Sequence, residues 1–557
     1  MKSKVTSIFI GICVLLMVAP WGVLAVVNHG SFTVPPELMD DSGYYYARMQ
    51  AVADGHPFIG NPYFKEHADA MASAFFGADW IASIPLFLHL PLVPAALLNL
   101  ALSTALFVAL SLMLLRLLGL SSKWQMAGVL ALLLTAYWFL LRPVAMQVVF
   151  PSFLFFLLGY LTWLQNPASK KRLALLVVSS ALTFYLYTYL WQIVTIVIGL
   201  THVMFLTPAR KRYLSLAVAD FVIAFLIAPI IWYTYLQLQN PDYWETVTRI
   251  GYIATHTFGA AAVLNLGLTV IAFLLVLIAG RKVLTRPNSM FFTFTGAALV
   301  IASFSNVITG KDLETAVHMG RFVELWGALA VSCAAFYFVS EKGTDRNGSI
   351  ALVVSGALML LLLGNLVSVQ NRSDEYLRGE SYQEVLTWLN ENTPPGSVVL
   401  ADDKLSYYIP VATRDFVLFQ PDGGLYLVPD REVEDRYLAS RIFSNLTKDQ
   451  LKADFRLYAG VGNAVHHFKV HNREVALCRA LHLPHCGDII PDAVTDRGEA
   501  YFDELYMRYQ LMSAAKTSTL KDYGVEYIVS ATPLMDLSQF TLVKVSGFYI
   551  YLLTQPT

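Results

Sequence analysis

Residues 92–141, LVPAALLNLALSTALFVALSLMLLRLLGLSSKWQMAGVLALLLTAYWFLL, decide the fold, because they form two long apolar runs separated by the short polar turn 119–123. A helix needs about 20 mainly apolar residues to cross the roughly 30 Å hydrocarbon core of a bilayer. The charged residues of the stretch are Arg116 and Lys123, both at the turn. The stretch therefore predicts two membrane-spanning helices joined by a tight connection.

The same alternation of apolar runs and short polar turns fills the first two thirds of the chain. Of its 557 residues, 56% are apolar and 14% are charged, whereas soluble domains carry about 25% charged residues. This composition predicts a bilayer as the main solvent and excludes a soluble enzyme or a disordered scaffold. Eleven spans are predicted, near residues 5–27, 92–118, 124–141, 144–164, 173–187, 188–206, 213–235, 259–279, 289–308, 322–340 and 349–369.

The charges divide the chain into two parts. Residues 1–369 carry a net charge of +6 and residues 370–557 a net charge of −7, which gives the chain its total of −1. A change of this kind marks the end of a membrane domain and the start of a water-exposed one, and we place the boundary near Gln370. The near-zero net charge provides no general basic field, so no nucleic-acid partner is expected.

Basic clusters predict the orientation, because lysine and arginine stay on the cytoplasmic side of short loops. With eleven spans, four such clusters fall on one side: Lys2 with Lys4, then residues 170–172, 210–212 and 281–286. The large polar segments then all face the other side: the first outer loop 28–91, the loops 236–258 and 309–321, and the domain 370–557. Any chemistry is therefore expected on the outer face.

The C-terminal part is predicted to be an α/β domain. A helical pattern at 382–390 ends at a Thr-Pro-Pro-Gly turn, strands follow at 398–400 and 525–530, and a hairpin at 540–553 closes the chain. Cys478 and Cys486 lie eight residues apart, close to His482 and His485. A local disulfide is favoured over a zinc site, because the spacing matches no zinc motif.

The first outer loop carries the most conspicuous polar cluster. Two adjacent carboxylates, Asp40 and Asp41, follow span one directly. Either could simply cap the next helix. However, aromatic and polar residues crowd the loop without an apolar period, and this favours a functional segment. The loop supplies the candidate substrate-binding residues Tyr44, Tyr45, His56, Glu66 and His67.

An Asp-containing loop after span one, a Tyr-rich start of the next helix, a multispan core and an outer α/β tail together resemble the GT-C superfamily of membrane glycosyltransferases. Its members include the oligosaccharyltransferase catalytic subunit, protein O-mannosyltransferases and lipid A aminoarabinose transferases. The tail segments WLNENTPP (388–395) and YGVEYIV (523–529) are similar to segments common in that superfamily. The resemblance implies a GT-C-like catalytic domain at 1–369 and a periplasmic domain at 370–557.

The resemblance also implies a reaction. A sugar is transferred, with inversion, from a polyprenyl phosphate or pyrophosphate donor to a lipid, polysaccharide or protein acceptor on the outer face of a bacterial cytoplasmic (inner) membrane. Such a reaction needs a carboxylate as base, for which we name Asp41 and then Asp40. It also needs cations for the departing phosphate. The candidates there are Arg321, His318, Lys311 and Arg142. Glu314, Arg249 and His256 are further candidate substrate-binding residues.

Two alternatives remain open for these residues. Arg321 could be an interfacial anchor paired with Glu324. A divalent cation could bind Asp40, Asp41 and Glu314, but the turn Leu141-Arg142-Pro143 lacks the second acidic motif of metal-dependent oligosaccharyltransferases. We therefore expect no metal and no cofactor.

For the whole chain, the alternatives are a transporter or flippase of a lipid-linked sugar and a non-catalytic membrane scaffold.

Overall fold

The computed structural model describes residues 3–30, 32–73, 75–205, 210–341, 347–537 and 540–553. Helices occur at every position predicted for a span. The first two thirds of the chain contain, in order, α1 (Ser3–Val27), α2 (Ser42–Ala53), α3 (Gly77–Phe87), α4 (Leu92–Leu117), α5 (Ser122–Leu141), α6 (Ala145–Gln165), α7 (Lys170–Leu186), α8 (Thr188–Phe205), α9 (Arg210–Gln239), α10 (Tyr243–Ile250), β1 (Ile253–Ala254), α11 (Ala260–Gly280), α12 (Arg286–Ser303), α13 (Ser305–Thr309), β2 (Lys311–Asp312), α14 (Thr315–Glu341) and α15 (Asn347–Asn371).

Eight helices within the described ranges are long and apolar enough to cross a bilayer, namely α1, α4, α5, α6, α9, α11, α14 and α15. The other three predicted spans are the shorter helices α7, α8 and α12, of 17 to 18 residues. They pack into the same bundle, α7 against α6 and α9, and α12 against α8 and α14. A polytopic helical membrane domain is therefore confirmed.

Three details of the bundle concern the outer surface. The break predicted between the fifth and sixth spans is confirmed, since Tyr187 is extended between α7 and α8. The predicted span near 289–308 instead ends at Ser303, and α13 follows after Phe304. Helix α14 starts at Thr315, earlier than predicted, because the Asp312 carboxylate accepts a hydrogen bond from the Thr315 N–H at 3.0 Å. The loop 309–321 is thus half helical.

The C-terminal part is the predicted α/β domain. Its elements are α16 (Ser373–Tyr376), α17 (Gln383–Asn392), β3 (Val398–Leu400), α18 (Asp403–Ala412), β4 (Phe416–Val417), α19 (Asp430–Ser440), α20 (Lys448–Ala453), α21 (Phe455–Val461), α22 (His467–Ala480), α23 (Ala493–Arg497), α24 (Glu499–Ala514), α25 (Lys516–Asp522), β5 (Val525–Ser530), β6 (Thr541–Val545) and β7 (Phe548–Leu552). The sheet order is β4-β3-β5-β7-β6, with β3 parallel to β4 and β5 and the last three strands antiparallel. Both predicted strands and the predicted hairpin are confirmed.

The outer domain rests on the first outer loop. Helix α18 packs on α2, and Gly43 approaches Tyr407 so closely that an added Cβ atom would lie 2.4 Å from the Tyr407 ring. The Tyr407 hydroxyl accepts a hydrogen bond from the Gly43 N–H at 2.8 Å. Farther out, Cys478 and Cys486 form the predicted disulfide. The contact between α2 and α18 brings the outer domain directly onto the loop that carries Asp40 and Asp41.

Candidate active site

Asp41 lies at the entrance of the site, one residue before α2. It occupies the N-cap position, yet its side chain makes no capping hydrogen bond. Its carboxylate instead receives two hydrogen bonds from Arg142, one of them from Nε to Oδ1 at 3.0 Å. Arg142 belongs to the turn between α5 and α6, so the fold joins the predicted base to a predicted phosphate ligand 101 residues away.

The Asp41–Arg142 ion pair is only partly covered. The Arg142 side chain is 14% exposed and the Asp41 side chain 39% exposed. Tyr45 covers one face of the guanidinium, with the Arg142 Cζ atom 4.9 Å from the centre of its ring. The neighbouring Tyr44 ring packs edge-on against Tyr45 at 5.1 Å. A carboxylate that is oriented on one side and open on the other can still receive a second partner.

A second cluster surrounds the Tyr187 hydroxyl, at the break between α7 and α8. This hydroxyl lies 2.8 Å from Nδ1 of His318 and accepts a hydrogen bond from Arg321 at 3.3 Å. The Tyr189 ring stacks on His318 with 4.3 Å between ring centres. Phe139 connects the two clusters, because its ring lies 5.7 Å from the Arg321 Cζ atom and its carbonyl accepts a hydrogen bond from the Arg142 N–H at 3.2 Å. The two clusters therefore form one continuous site with two guanidinium groups.

Glu314 closes this site on the side of the outer domain. Its carboxylate oxygens lie 3.7 Å from Nε2 of His318 and 3.1 Å from Nε2 of His466, which precedes α22. Hydrogen bonds from these two histidines hold the pKa of Glu314 well below its ordinary value. Glu314 also has a φ of 51°, in the left-handed region that a non-glycine residue rarely adopts. A strained backbone of this kind is found at sites where a side chain must be placed accurately.

Asp422 places a second carboxyl group near Asp41. It lies in the turn Pro421–Leu425, which Asn61 holds through a 2.9 Å hydrogen bond to the Gly423 carbonyl. Burial, aided by the charge of Asp41, raises the pKa of Asp422 to about 7. A carboxyl group with this pKa exchanges protons readily at neutral pH.

Asp40 lines a cavity of about 910 Å³ beneath the outer domain, and Asp41 does not line this cavity. Asp41 is paired with Arg142, and Glu314 with two histidines. The three carboxylates suggested for a divalent cation therefore do not form one ligand set. In the part of the chain that the structure describes, no three His, Cys, Asp or Glu side chains come together as a cation site.

Three predicted site residues lie outside the cluster but at the outer surface. Lys311 is exposed, with its ammonium 5.9 Å from the Trp244 ring centre. His256 contacts the Val307 carbonyl through Nδ1 at 3.0 Å. His56 contacts Asp69 at 2.7 Å. None of these contacts involves Asp41, Arg142 or Arg321.

Three further predicted residues hold the domains together. Arg249 is buried and donates to the carbonyls of Gly424 at 2.6 Å and Val428 at 2.8 Å, and it also pairs with Asp430. Glu66 accepts a hydrogen bond from Arg436 at 2.6 Å. His67 lies 3.0 Å from Glu432. These three side chains fix the outer domain to the loops of the membrane domain.

Four residues of the site were not predicted from the sequence: Tyr187, Tyr189, His466 and Asp422. Tyr187 and Tyr189 lie where the predicted spans 173–187 and 188–206 adjoin, so the sequence marked their position. His466 and Asp422 carry no local signal, because each meets the site only through the docking of the outer domain.

No family model and no curated protein matches the sequence. Solved structures do match. The apo crystal structure of ArnT from Cupriavidus metallidurans is 13% identical, with a TM-score of 0.52, over 81% of this chain and 94% of that chain. The undecaprenyl phosphate-bound form of that ArnT has the same identity and TM-score over 75% and 86%. The apo oligosaccharyltransferase of Archaeoglobus fulgidus is 15% identical, with a TM-score of 0.47, over 95% and 70%. The likeness to ArnT shows that this chain has a GT-C-like fold.

Proposed function

We propose that this protein is an inverting membrane glycosyltransferase that moves a sugar from a polyprenyl-phosphate-linked donor to a hydroxyl group. The observation that carries the proposal is the continuous site in which a half-open carboxylate, Asp41, adjoins Arg142, Tyr187 and Arg321 at the outer ends of the helices. A base next to two guanidinium groups suits a reaction that deprotonates a hydroxyl and releases a phosphate. The solved complex of ArnT with undecaprenyl phosphate supports a polyprenyl donor for this fold.

The donor phosphate is assigned to the Arg321 side of the site. Arg321 lies beside the Tyr187 hydroxyl, which also contacts Nδ1 of His318, and Arg142 adds a second guanidinium nearby. Guanidinium groups match the geometry of phosphate oxygens and stay charged. Negative charge that develops on the departing phosphate is stabilised by these donors.

The prenyl chain is assigned to an apolar groove of about 640 Å³ between α5, α11, α14 and α15. Glu324 and Gly327, one to two turns beyond Arg321 on α14, line this groove, and so does Thr135 of α5. Phe139, one turn farther along α5, lies against the Arg321 guanidinium at 5.7 Å. The groove thus begins near the phosphate donors and runs into the bundle.

In the proposed reaction an acceptor oxygen attacks the anomeric carbon of the donor sugar. The new bond joins the acceptor oxygen to that carbon, and the bond from the carbon to the phosphate oxygen breaks with its electron pair leaving on the phosphate. Asp41 removes the hydroxyl proton as the bond forms. Asp41 then releases the proton to water through its open side, since its side chain is 39% exposed.

Mass spectrometry of lipid that co-purifies with the protein tests the donor assignment. We expect a sugar-bearing isoprenoid with the wild type and a loss of about tenfold or more with Arg321→Ala. The control Arg281→Ala alters an arginine in the turn after α11 and should retain the lipid. A protein that carries the donor across vesicle membranes without transferring the sugar would instead be a transporter or flippase.

A further inference from the structure

The cavity that Asp40 faces is separate from the donor site and lies beneath the outer domain. It is bounded by the outer end of α1, by the loop that precedes α2, by the segment between α16 and α17, and by α18. Val27 and Asn28 at the end of α1 line its lower edge. Because α1 spans the bilayer, the mouth of the cavity lies at the level of the membrane surface.

Three tyrosine rings form much of the wall. The rings of Tyr382 and Tyr408 lie 5.7 Å apart, and those of Tyr407 and Tyr408 lie 5.2 Å apart, edge to face. Tyrosine presents an apolar face together with a polar hydroxyl. A wall of this type suits a flat, hydroxyl-bearing ligand such as a sugar ring.

The polar lining of the cavity contains carboxyl groups, tyrosine hydroxyls and the Gln420 amide, with cations at its edge. The Glu37 side chain is half-buried, and its Oε1 atom is covered and has no hydrogen-bond partner among the described residues. Burial raises the pKa of Glu37 to about 7, so the group can both accept and donate at neutral pH. Arg378 and Lys404 are exposed at the edge.

Two residues that line the cavity also contact the chain segments that carry Asp40, Asp41 and Asp422. Tyr407 lines it and also accepts a hydrogen bond from the Gly43 N–H, while its hydroxyl donates to the Asp40 carbonyl at 3.2 Å. Gln420 lines it too, and its Oε1 accepts a hydrogen bond from the Asp422 N–H at 2.7 Å. A ligand in the cavity therefore lies beside the chain segments that carry Asp41 and Asp422.

We propose that this cavity is the acceptor subsite and that the acceptor is a carbohydrate hydroxyl presented at the membrane surface. The inference rests on the proposed function and names its acceptor class. Tyrosine faces would contact the sugar ring, and the Glu37 carboxyl would bind neighbouring hydroxyl groups. A peptide acceptor is the competing class, and the test separates the two.

Saturation-transfer NMR on the full-length protein in nanodiscs is the test, with methyl glucoside, methyl galactoside, methyl mannoside and a serine-containing hexapeptide as probes. We expect at least one glycoside to receive saturation from the wild type and the peptide to receive none. Tyr382→Ala and the isosteric Glu37→Gln should lower this signal about fivefold or more. The matched control Glu391→Gln, at an exposed site on α17, should leave it unchanged.

Two outcomes would overturn the subsite. One is saturation of the peptide alone, and the other is glycoside binding that both cavity variants retain. The co-purified isoprenoid is measured on the same samples, together with the melting temperature as a check on folding. If the isoprenoid is present and the glycosides do not bind, the acceptor assignment fails while the donor assignment stands. If glycosides bind at the cavity and no isoprenoid is found, the proposed function fails instead.

Discussion

The Asp41–Arg142 pair is the residue-level feature that gives the proposed reaction its base. If Asp41 removes the hydroxyl proton, Asp41→Asn should lower the transfer rate about 100-fold or more, because general base catalysis contributes about 10² to 10⁴. The rate is measured with saturating donor. Retention of the co-purified isoprenoid shows that donor binding survives. Asp449→Asn, on the exposed surface of α20, is the control, and an Asp41→Asn enzyme of normal rate would eliminate Asp41 as the base.

The lowered pKa of Glu314 predicts how the stability of the protein depends on pH. Hydrogen bonds from His318 and His466 lower its pKa, so the folded state binds the ionised form more tightly than the unfolded state does. This stabilisation, of about 2 kcal/mol for hydrogen bonds to a charged group, is present above the unfolded-state pKa of about 4.3. It is lost as the pH falls further, through the lowered pKa of the folded protein.

The variant Glu314→Gln should therefore have a lower melting temperature than the wild type at pH 7 and at pH 5. The difference should shrink only below about pH 4. Thermal unfolding in detergent at several pH values measures it. A difference that disappears between pH 7 and pH 5 would show that the carboxylate does not gain its stability from these contacts.

Single residues also show the limit of sequence analysis. Asp41, Arg142, His318 and Arg321 could be proposed from residue type and position at the membrane edge. Their pairing could not, because Asp41 and Arg142 are 101 residues apart and meet only when α2 docks beside the turn that follows α5. Arg249 has the same residue type and a similar position, yet carbonyl groups of the outer domain enclose it.

At the level of elements, Arg249 links α10 to the turn before α19. Removing the buried guanidinium leaves the carbonyls of Gly424 and Val428 without donors, and each unsatisfied buried acceptor costs about 1 to 3 kcal/mol. Arg249→Ala should lower the melting temperature by several degrees, whereas Arg281→Ala in the turn after α11 should not. A variant of normal stability that fails to bind substrate would instead support the substrate-binding role predicted from the sequence.

Elements with a strong periodic or compositional signal were predicted well. The strands β3 and β5 fall on the predicted residues, and the helix break at Tyr187 falls at the boundary between the predicted spans 173–187 and 188–206. The errors lie at the outer ends of helices. Helix α14 extends into the predicted loop because Asp312 caps it, and this extension puts His318 and Arg321 on its first turns. A hydropathy pattern does not register such a polar helical turn.

At the scale of the whole molecule, the alternating direction of the helices brings the site residues to one side of the bundle. If each of the eleven helices crosses the bilayer, α1, α5, α7 and α15 end on the outer side, and α6 and α14 start there. Asp41 lies in the loop after α1, Arg142 directly follows α5, and Tyr187 directly follows α7. Arg321 lies in the second turn of α14. The disulfide between Cys478 and Cys486 in the outer domain agrees with an oxidising compartment. The basic turns of the opposite side fit the same arrangement.

Thiol labelling can test which side of the membrane the proposed site faces, because the native cysteines should react little with an added reagent. Cys13 and Cys333 are buried, and Cys478 and Cys486 are joined. Glu391→Cys on α17 and Arg281→Cys in the turn after α11 place one exposed thiol at each end of the bundle. In intact cells stripped of any outer barrier, a membrane-impermeant maleimide should label the first variant fully and the second only after permeabilisation. If Arg281→Cys is labelled in intact cells and Glu391→Cys is protected, Asp41 and the whole proposed site lie on the cytoplasmic face. That result would contradict the orientation that the basic clusters predict.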